Sequence, residues 1–410
     1  MEILYILLVL LVITRAFGEI AVRFHQPALV GELLSGIALG VLIQWFPDWF
    51  PVMSDISENE VFTAITDLGI FFLMLLAGLE MQPRELARSS KRSLVIALGG
   101  MLLPLLAGLG LAWIFLPRSE YFAAQALFAG IALAITAIPV PVKVLMDLNM
   151  LDSRAGKMIV SSAIFDDILS LLLLAVLTAL IRTGSFPGTV VLLALGGQVA
   201  LFFAVTMGIG RFLLPRLEKL LKISMTEEFE FSLLLVVALG FSVFAETLQM
   251  HFILGAFTAG LFFTRRTLDP PVFEGVKNRV SGITTGFLAP VFFASIGMRL
   301  DLSAIETIPL FLLLLVAAAV LGKMLGAGLP ALLLTRSWKE ASIVGFGMNA
   351  RGAVELIIAD IALRQGLFSH PEPAPAIVAS LFSAVVIMAV VTTLLTPIGM
   401  RWMVTRFNYK

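Results

Sequence analysis

From end to end the chain alternates long apolar runs with short charged loops. Apolar runs of about 18 or more residues read as membrane helices. About thirteen such spans are predicted, near 2–24, 28–46, 61–80, 93–116, 121–146, 153–181, 187–213, 229–247, 252–265, 279–299, 307–334, 340–364 and 375–403. The fold class is therefore an all-α polytopic membrane protein. The whole length, 1–410, reads as one transmembrane domain, with no stretch left for a soluble regulatory domain. The chain opens Met1-Glu2-Ile3 with no basic region and no small-residue cleavage site, so the first span is expected to be retained.

Two spans interrupt their own pattern. Span 5 carries Ile135-Thr136-Ala137-Ile138-Pro139-Val140-Pro141 near its middle. A proline has no N–H, so a helix through Pro139 and Pro141 leaves the carbonyls of Ile135 and Ala137 without partners. Span 12 carries Gly345-Phe346-Gly347-Met348-Asn349-Ala350-Arg351-Gly352, a sequence tolerant of non-helical backbone. Broken backbone survives at membrane depth only where it faces protein, water or an ion. On the residues alone, two ordinary kinks are the competing reading.

A weak internal repeat links these breaks. Leu29-Val30-Gly31-Glu32-Leu33-Leu34-Ser35-Gly36 in span 2 shares its glycine spacing with Ile253-Leu254-Gly255-Ala256-Phe257-Thr258-Ala259-Gly260 in span 9. Gly78 near the end of span 3 and Gly297 near the end of span 10 also correspond. Spans 1–6 (1–182) and 8–13 (226–403) would then be six-helix repeats, with span 7 (187–213) as linker. The offset of seven spans is odd, so the copies are inverted, and spans 5 and 12 become equivalent. Paired interruptions in inverted repeats point to a transporter's binding site. Chance likeness between glycine-rich membrane helices stays open as the alternative.

Composition fits this picture: 59% of residues are hydrophobic and 14% charged, against about 25% charged in soluble domains. Net charge is zero, which gives no case for nucleic acid, and the absence of cysteine excludes thiolate metal sites. Of the 28 lysines and arginines, Arg118, Arg182, Arg299 and Arg364 fall in outside loops, and Lys323 and Arg351 fall in mid-span. All the others fall on the inside if the N-terminus is outside and the C-terminus cytoplasmic.

The mid-span charges carry the chemistry. Asp166 and Asp167 sit near the centre of span 6 and Lys323 near the centre of span 11. Each costs about 2.5–3.5 kcal/mol at mid-bilayer on insertion scales, so each needs a partner and a reason. Ser162, Asp166 and Ser170 share one helical face, while Asp167 points about 100° away. Two adjacent carboxylates in low dielectric repel, and a proton or a cation relieves the repulsion. One site that takes either ligand suits an exchanger. Oxygen ligands suit a small hard cation, and the freed carbonyls of span 5 can complete its shell. A purely structural salt bridge is the competing reading, and it needs one aspartate rather than two. Arg351 and Glu355, four residues apart, are expected to pair with each other. His25, His251 and His370 fall at span ends or in loops without metal-ligand spacing.

Taken together, Ser162 to Asp167, the Thr136–Pro141 break followed by Val142-Lys143-Val144-Leu145, Leu321-Gly322-Lys323 and Gly347 to Gly352 resemble the monovalent cation:proton antiporter-2 family, the Kef-type and bacterial sodium/proton antiporters. The likeness spans essentially the whole chain. It implies a homodimer in a cell inner membrane and a mobile core domain (61–181 and 279–403) whose broken spans 5 and 12 cross. It also implies elevator-type alternating access and no cofactor beyond the transported Na+ and H+. Carried over, Asp167 is the cation and proton site, Asp166 assists, Lys323 is the charge partner, and the backbone at Thr136 is a further ligand. The double aspartate with lysine resembles the electrogenic sodium/proton subtype. Potassium/proton exchange on the same fold is the alternative. Ala353 stands where close sodium/proton relatives often carry Glu, and Pro141 adds a second proline to the break.

Two other classes are set aside. An intramembrane aspartyl protease needs its aspartates on separate helices, and here they are adjacent. A passive channel does not call for opposite charges locked inside one bundle. No enzyme is expected.

Overall fold

The computed structural model describes residues 2–46, 56, 59–80, 91–136, 139–148, 150–151, 153–183, 189–210, 228–248, 250–263 and 270–407. Ala137, expected as a backbone ligand, lies outside the described residues, as does the 211–227 stretch with its basic residues. In chain order the helices are α1 (Glu2–Arg23), α2 (Ala28–Trp45), α3 (Glu60–Glu80), α4 (Lys91–Phe115), α5 (Phe122–Ala134) and α6 (Pro139–Asp147). There follow α7 (Arg154–Thr183), α8 (Thr189–Gly208), α9 (Glu228–Thr247), α10 (Ile253–Phe262), α11 (Pro270–Ile283) and α12 (Ala289–Met298). The last are α13 (Ala304–Thr307), α14 (Pro309–Thr335), α15 (Trp338–Gly347), α16 (Ala353–Arg364), α17 (Ala376–Ala379) and α18 (Leu381–Phe407). The described residues contain no strand. Eight helical stretches among them are long and apolar enough to cross a bilayer.

Both expected breaks are present. Span 5 is α5 and α6, parted by an extended Ile135 (φ −73°, ψ 146°). Pro139 opens α6 as its first residue, where a missing N–H costs nothing. Span 12 is α15 and α16, parted at 348–352. The Ser337 hydroxyl accepts the Glu340 N–H (3.3 Å) to start α15. Glu355 lies in the first turn of α16, where a carboxylate meets the positive end of the helix dipole.

Span 10 differs from expectation. It begins at Pro270 rather than near 279, because the proline starts a helix whose first turns, with Glu274, Lys277 and Arg279, are too polar for a hydropathy reading. It also contains a π-helical turn, Thr284–Leu288, between α11 and α12.

The chain forms two compact units. Unit 1 comprises Met1–Ala16, Ala38–Pro83 and Pro187–Met298, and unit 2 comprises Phe17–Ile37, Arg84–Phe186 and Arg299–Lys410. One core cluster of unit 1 joins Ile6, Leu10, Leu39, Phe62, Val291 and Ala294. That of unit 2 joins Ile96, Leu145, Ile159, Ile343, Val344 and Met348. The two glycines that head the repeat motif make equivalent contacts. A side chain at Gly31 would strike the backbone of Phe17 in α1, and one at Gly255 would strike Phe241 in α9.

Candidate functional site

The mid-span charges converge within unit 2. Helix α4 is the common support. On one side Gly326 of α14 meets Gly99 of α4 backbone to backbone, and Gly322 rests on Pro104. On the other, the Ser162 hydroxyl of α7 donates to the Ser93 carbonyl of α4 (3.0 Å). With both helices drawn onto α4, Lys323 Nζ reaches Asp166 Oδ2 at 3.1 Å, and neither side chain touches solvent. Asp167 is also buried. Asp166 Oδ1 and Asp167 Oδ1 have no hydrogen-bond partner among the described residues. On the face they share with Asp166, Ser162 and Ser170 donate to the backbone carbonyls of Ser93 and Asp166.

The two breaks cap each other. The Thr136 hydroxyl donates to the Met348 carbonyl (3.0 Å), at the end of α15. Arg351 returns the favour at the end of α5. Its guanidinium donates to the carbonyls of Ala132 (3.0 Å), Leu133 (2.5 Å) and Ile135. A helix leaves its last carbonyls unpartnered, and proline prevents span 5 from continuing, so a cation with several donors fits this end. The expected Arg351–Glu355 pair is present at 3.8 Å, with both side chains fully buried. The carbonyls of α5 nevertheless take more of the guanidinium. The Thr393 hydroxyl of α18 donates to the Arg351 carbonyl (3.1 Å) and fixes the break from a third side. Thr393 escaped sequence reading. The only signal was a Thr392-Thr393 pair inside an apolar span.

Asn349 sits between the two caps, fully buried, and neither its amide oxygen nor its amide nitrogen has a hydrogen-bond partner among the described residues. Pro141 is buried in α6, and Pro139 contributes only the helix start. Lys323 lies within electrostatic reach of Asp166, Arg351 and Glu355, and Asp167 within reach of Asp166 and Lys323. Among the described residues the buried group thus holds three carboxylates, Asp166, Asp167 and Glu355, against two cations, Lys323 and Arg351. Fully ionised, it lacks one positive charge. A single proton or monovalent cation balances it.

A second cluster lies apart from these. Asp360 of α16 is buried and paired with Arg299 Nη1 at 2.9 Å and Arg364 Nε at 2.6 Å. These are two of the four basic residues assigned to outside loops. Nearby, Gln125 of α5 donates to the carbonyls of Leu367 (3.0 Å) and His370 (2.7 Å), and the Tyr121 and His370 rings stack 4.5 Å apart. Helix α5 is therefore tied to the α16 segment at both ends.

A family model described as "Sodium/hydrogen exchanger, transmembrane" matches residues 6–406. The chain is similar to the Na(+)/H(+)-K(+) antiporter GerN of Bacillus cereus, 31% identical over 97% of this chain and 95% of that one. It is 29% identical to a Na(+)/H(+) antiporter of Enterococcus hirae, over 98% of both chains. In fold it resembles the sodium proton antiporter MjNhaP1 from Methanocaldococcus jannaschii, with a TM-score of 0.73, 20% identity, and coverage of 98% of this chain and 97% of that one.

Proposed function

We propose, on the premise that the chain belongs to the sodium/hydrogen exchanger family, that it exchanges Na+ (or Li+) for H+ at Asp167. As a member of that family it is an antiporter of the membrane and not an enzyme. The observation that carries the site assignment is the buried charge group with one positive charge missing. Asp167 takes the ion, because Asp166 already has Lys323 at 3.1 Å and, among the described residues, Asp167 forms no ion pair of its own and its Oδ1 has no hydrogen-bond partner. Asp166 assists as the lysine's partner. When a cation binds, Asp167 gives up its proton, and transfer of more than one proton per cation makes the exchange electrogenic. The backbone at Thr136 and the amide oxygen of Asn349 are neutral ligands suited to a small cation. The Ile135 carbonyl already accepts from Arg351.

The rest of the reading follows the transporter logic. Spans 1–6 and 8–13 act as inverted repeats around the paired breaks. The equivalent glycine contacts at Gly31 and Gly255 support this. A core domain, 61–181 and 279–403, carries the site in elevator-type alternating access within a homodimer. The protein sits in the cell inner membrane with its N-terminus outside and C-terminus cytoplasmic. Potassium/proton exchange on the same site is the second reading, favoured by the potassium in the name of the Bacillus cereus relative.

Purified protein in proteoliposomes with an inside-acidic gradient and a trapped pH dye tests this. Na+ or Li+ added outside collapses the gradient, and Asp167→Asn abolishes the response. A response to K+ alone moves the assignment to the second reading. No response to any cation over a range of pH ends it.

A further inference from the structure

Arg351 is fully buried, yet its guanidinium spends its donors on backbone rather than chiefly on Glu355. It holds the carbonyls of Ala132, Leu133 and Ile135 together, with a Glu355 oxygen 3.8 Å from Nε. Three converging carbonyls at the negative end of a helix, beside a carboxylate, are the ligand set of a monovalent cation site. Without the guanidinium, the end of α5 would compete with Asp167 for the ion.

We propose that Arg351 is a tethered cation that permanently fills this carbonyl site and so confines the transported ion to the Asp166–Asp167 side. The proposal rests on the reading of Asp167 as the carrier. The two buried cations then divide the work by chemistry. A guanidinium keeps its proton at any physiological pH, and its planar fork matches several acceptors at once. An ammonium can lose its proton when buried. The permanent charge stands where the ion must be excluded, and the titratable one stands where the ion is exchanged. Thr393, holding the Arg351 carbonyl, fixes the backbone from which the guanidinium is aimed. Arg351 is thus a positioning and selectivity residue that need not touch the transported ion.

Replacing the residue and supplying the missing group tests this. Full-length Arg351→Ala is purified in detergent and melted with increasing guanidinium chloride in the millimolar range, against choline chloride at equal ionic strength. The variant is expected to melt below wild type and to recover on adding guanidinium, because the vacated carbonyl site exists only in the folded state and millimolar concentrations are too low to denature. Wild type is expected not to respond. In an Asp167→Asn background, Na+ stabilises the chain only when Arg351→Ala is also present, because only then is a carbonyl site open. Equal guanidinium responses in Arg351→Ala and wild type overturn the proposal, and so does a double variant indifferent to Na+. If Arg351→Ala is not recovered, transport by Arg351→Lys and Arg351→Gln decides. Lysine, which keeps a cation in the site, retains exchange, and glutamine lowers it by roughly tenfold or more through the lost charged hydrogen bonds. Equal activity of the two overturns the proposal. Asp167→Asn that still exchanges Na+ for protons sinks the carrier assignment instead, and leaves the guanidinium result standing.

Discussion

Asp166 and Asp360 are both fully buried aspartates of unit 2, and they differ in what surrounds them. Asp360 has two arginines, at 2.9 and 2.6 Å, whose side chains are 19% and 24% exposed. Asp166 has one lysine, fully buried, and a second carboxylate next to it in sequence. One cluster has cations in surplus and an edge on solvent. The other has cations in deficit and is almost closed to solvent, with Asp167 7% exposed. A buried acid with surplus cations has no use for an incoming ion, so its pairing serves the fold. A buried acid in deficit needs an ion to be stable at all. The charge balance around a carboxylate, not its burial, separates structure from transport here.

That comparison can be broken from either side. The largest expected effect is on the deficit side: Asp167→Asn removes the surplus negative charge and drops exchange to background in the proteoliposome assay, while the folded protein survives purification. A variant that transports normally collapses the distinction. On the surplus side, Asp360→Asn is expected to lower stability by about 1.5–3 kcal/mol, since it weakens two charge-assisted contacts to partly exposed arginines. Exchange per folded molecule should stay near wild type, as measured by transport normalised to the monodisperse fraction. Smaller is Arg364→Gln, at about 1 kcal/mol, because Arg299 remains and the lost pair is partly exposed. Its melting temperature should converge on wild type as salt rises, whereas that of Asp360→Asn should not. Smallest is Thr136→Val, which removes one neutral hydrogen bond to Met348 and costs roughly 0.5–1.5 kcal/mol. If it also shifts the apparent KM for Na+, the cap between the breaks shapes the ion site itself.

The parts of this arrangement legible in the sequence are those set by local rules. Pro139 and Pro141 cannot continue a helix, so the end of α5 was readable from two residues. Mid-span charges must find opposite charges, so an acidic partner for Lys323 followed from cost, while the choice of Asp166 over Asp167 came from the family resemblance. What stayed hidden needed distance. The i,i+4 spacing pointed Arg351 at Glu355, yet its closest partners are carbonyls more than two hundred residues earlier in the chain. Backbone carbonyls leave no mark in a sequence, because every residue has one. The partners of Ser162 and Ser170 were hidden for the same reason, since both hydroxyls bond backbone carbonyls. The π-helical turn at Thr284–Leu288 announced itself only by the nearby Gly282 and Gly286, which any flexible helix can carry.

The backbone contact of Gly99 with Gly326 reaches further than packing. Neither residue bears a charge, yet their missing side chains set how near α14 comes to α4, and with it whether Lys323 spans the gap to Asp166. Coulomb attraction weakens with every ångström of separation, most steeply in a dry interior. A single methyl group at Gly326, less than one turn of helix from Lys323 and on neither ion ligand, would therefore be felt as a change of voltage at the site. In lineages of this chain, drift at two silent-looking glycines would retune ion exchange while every residue that touches an ion stayed the same.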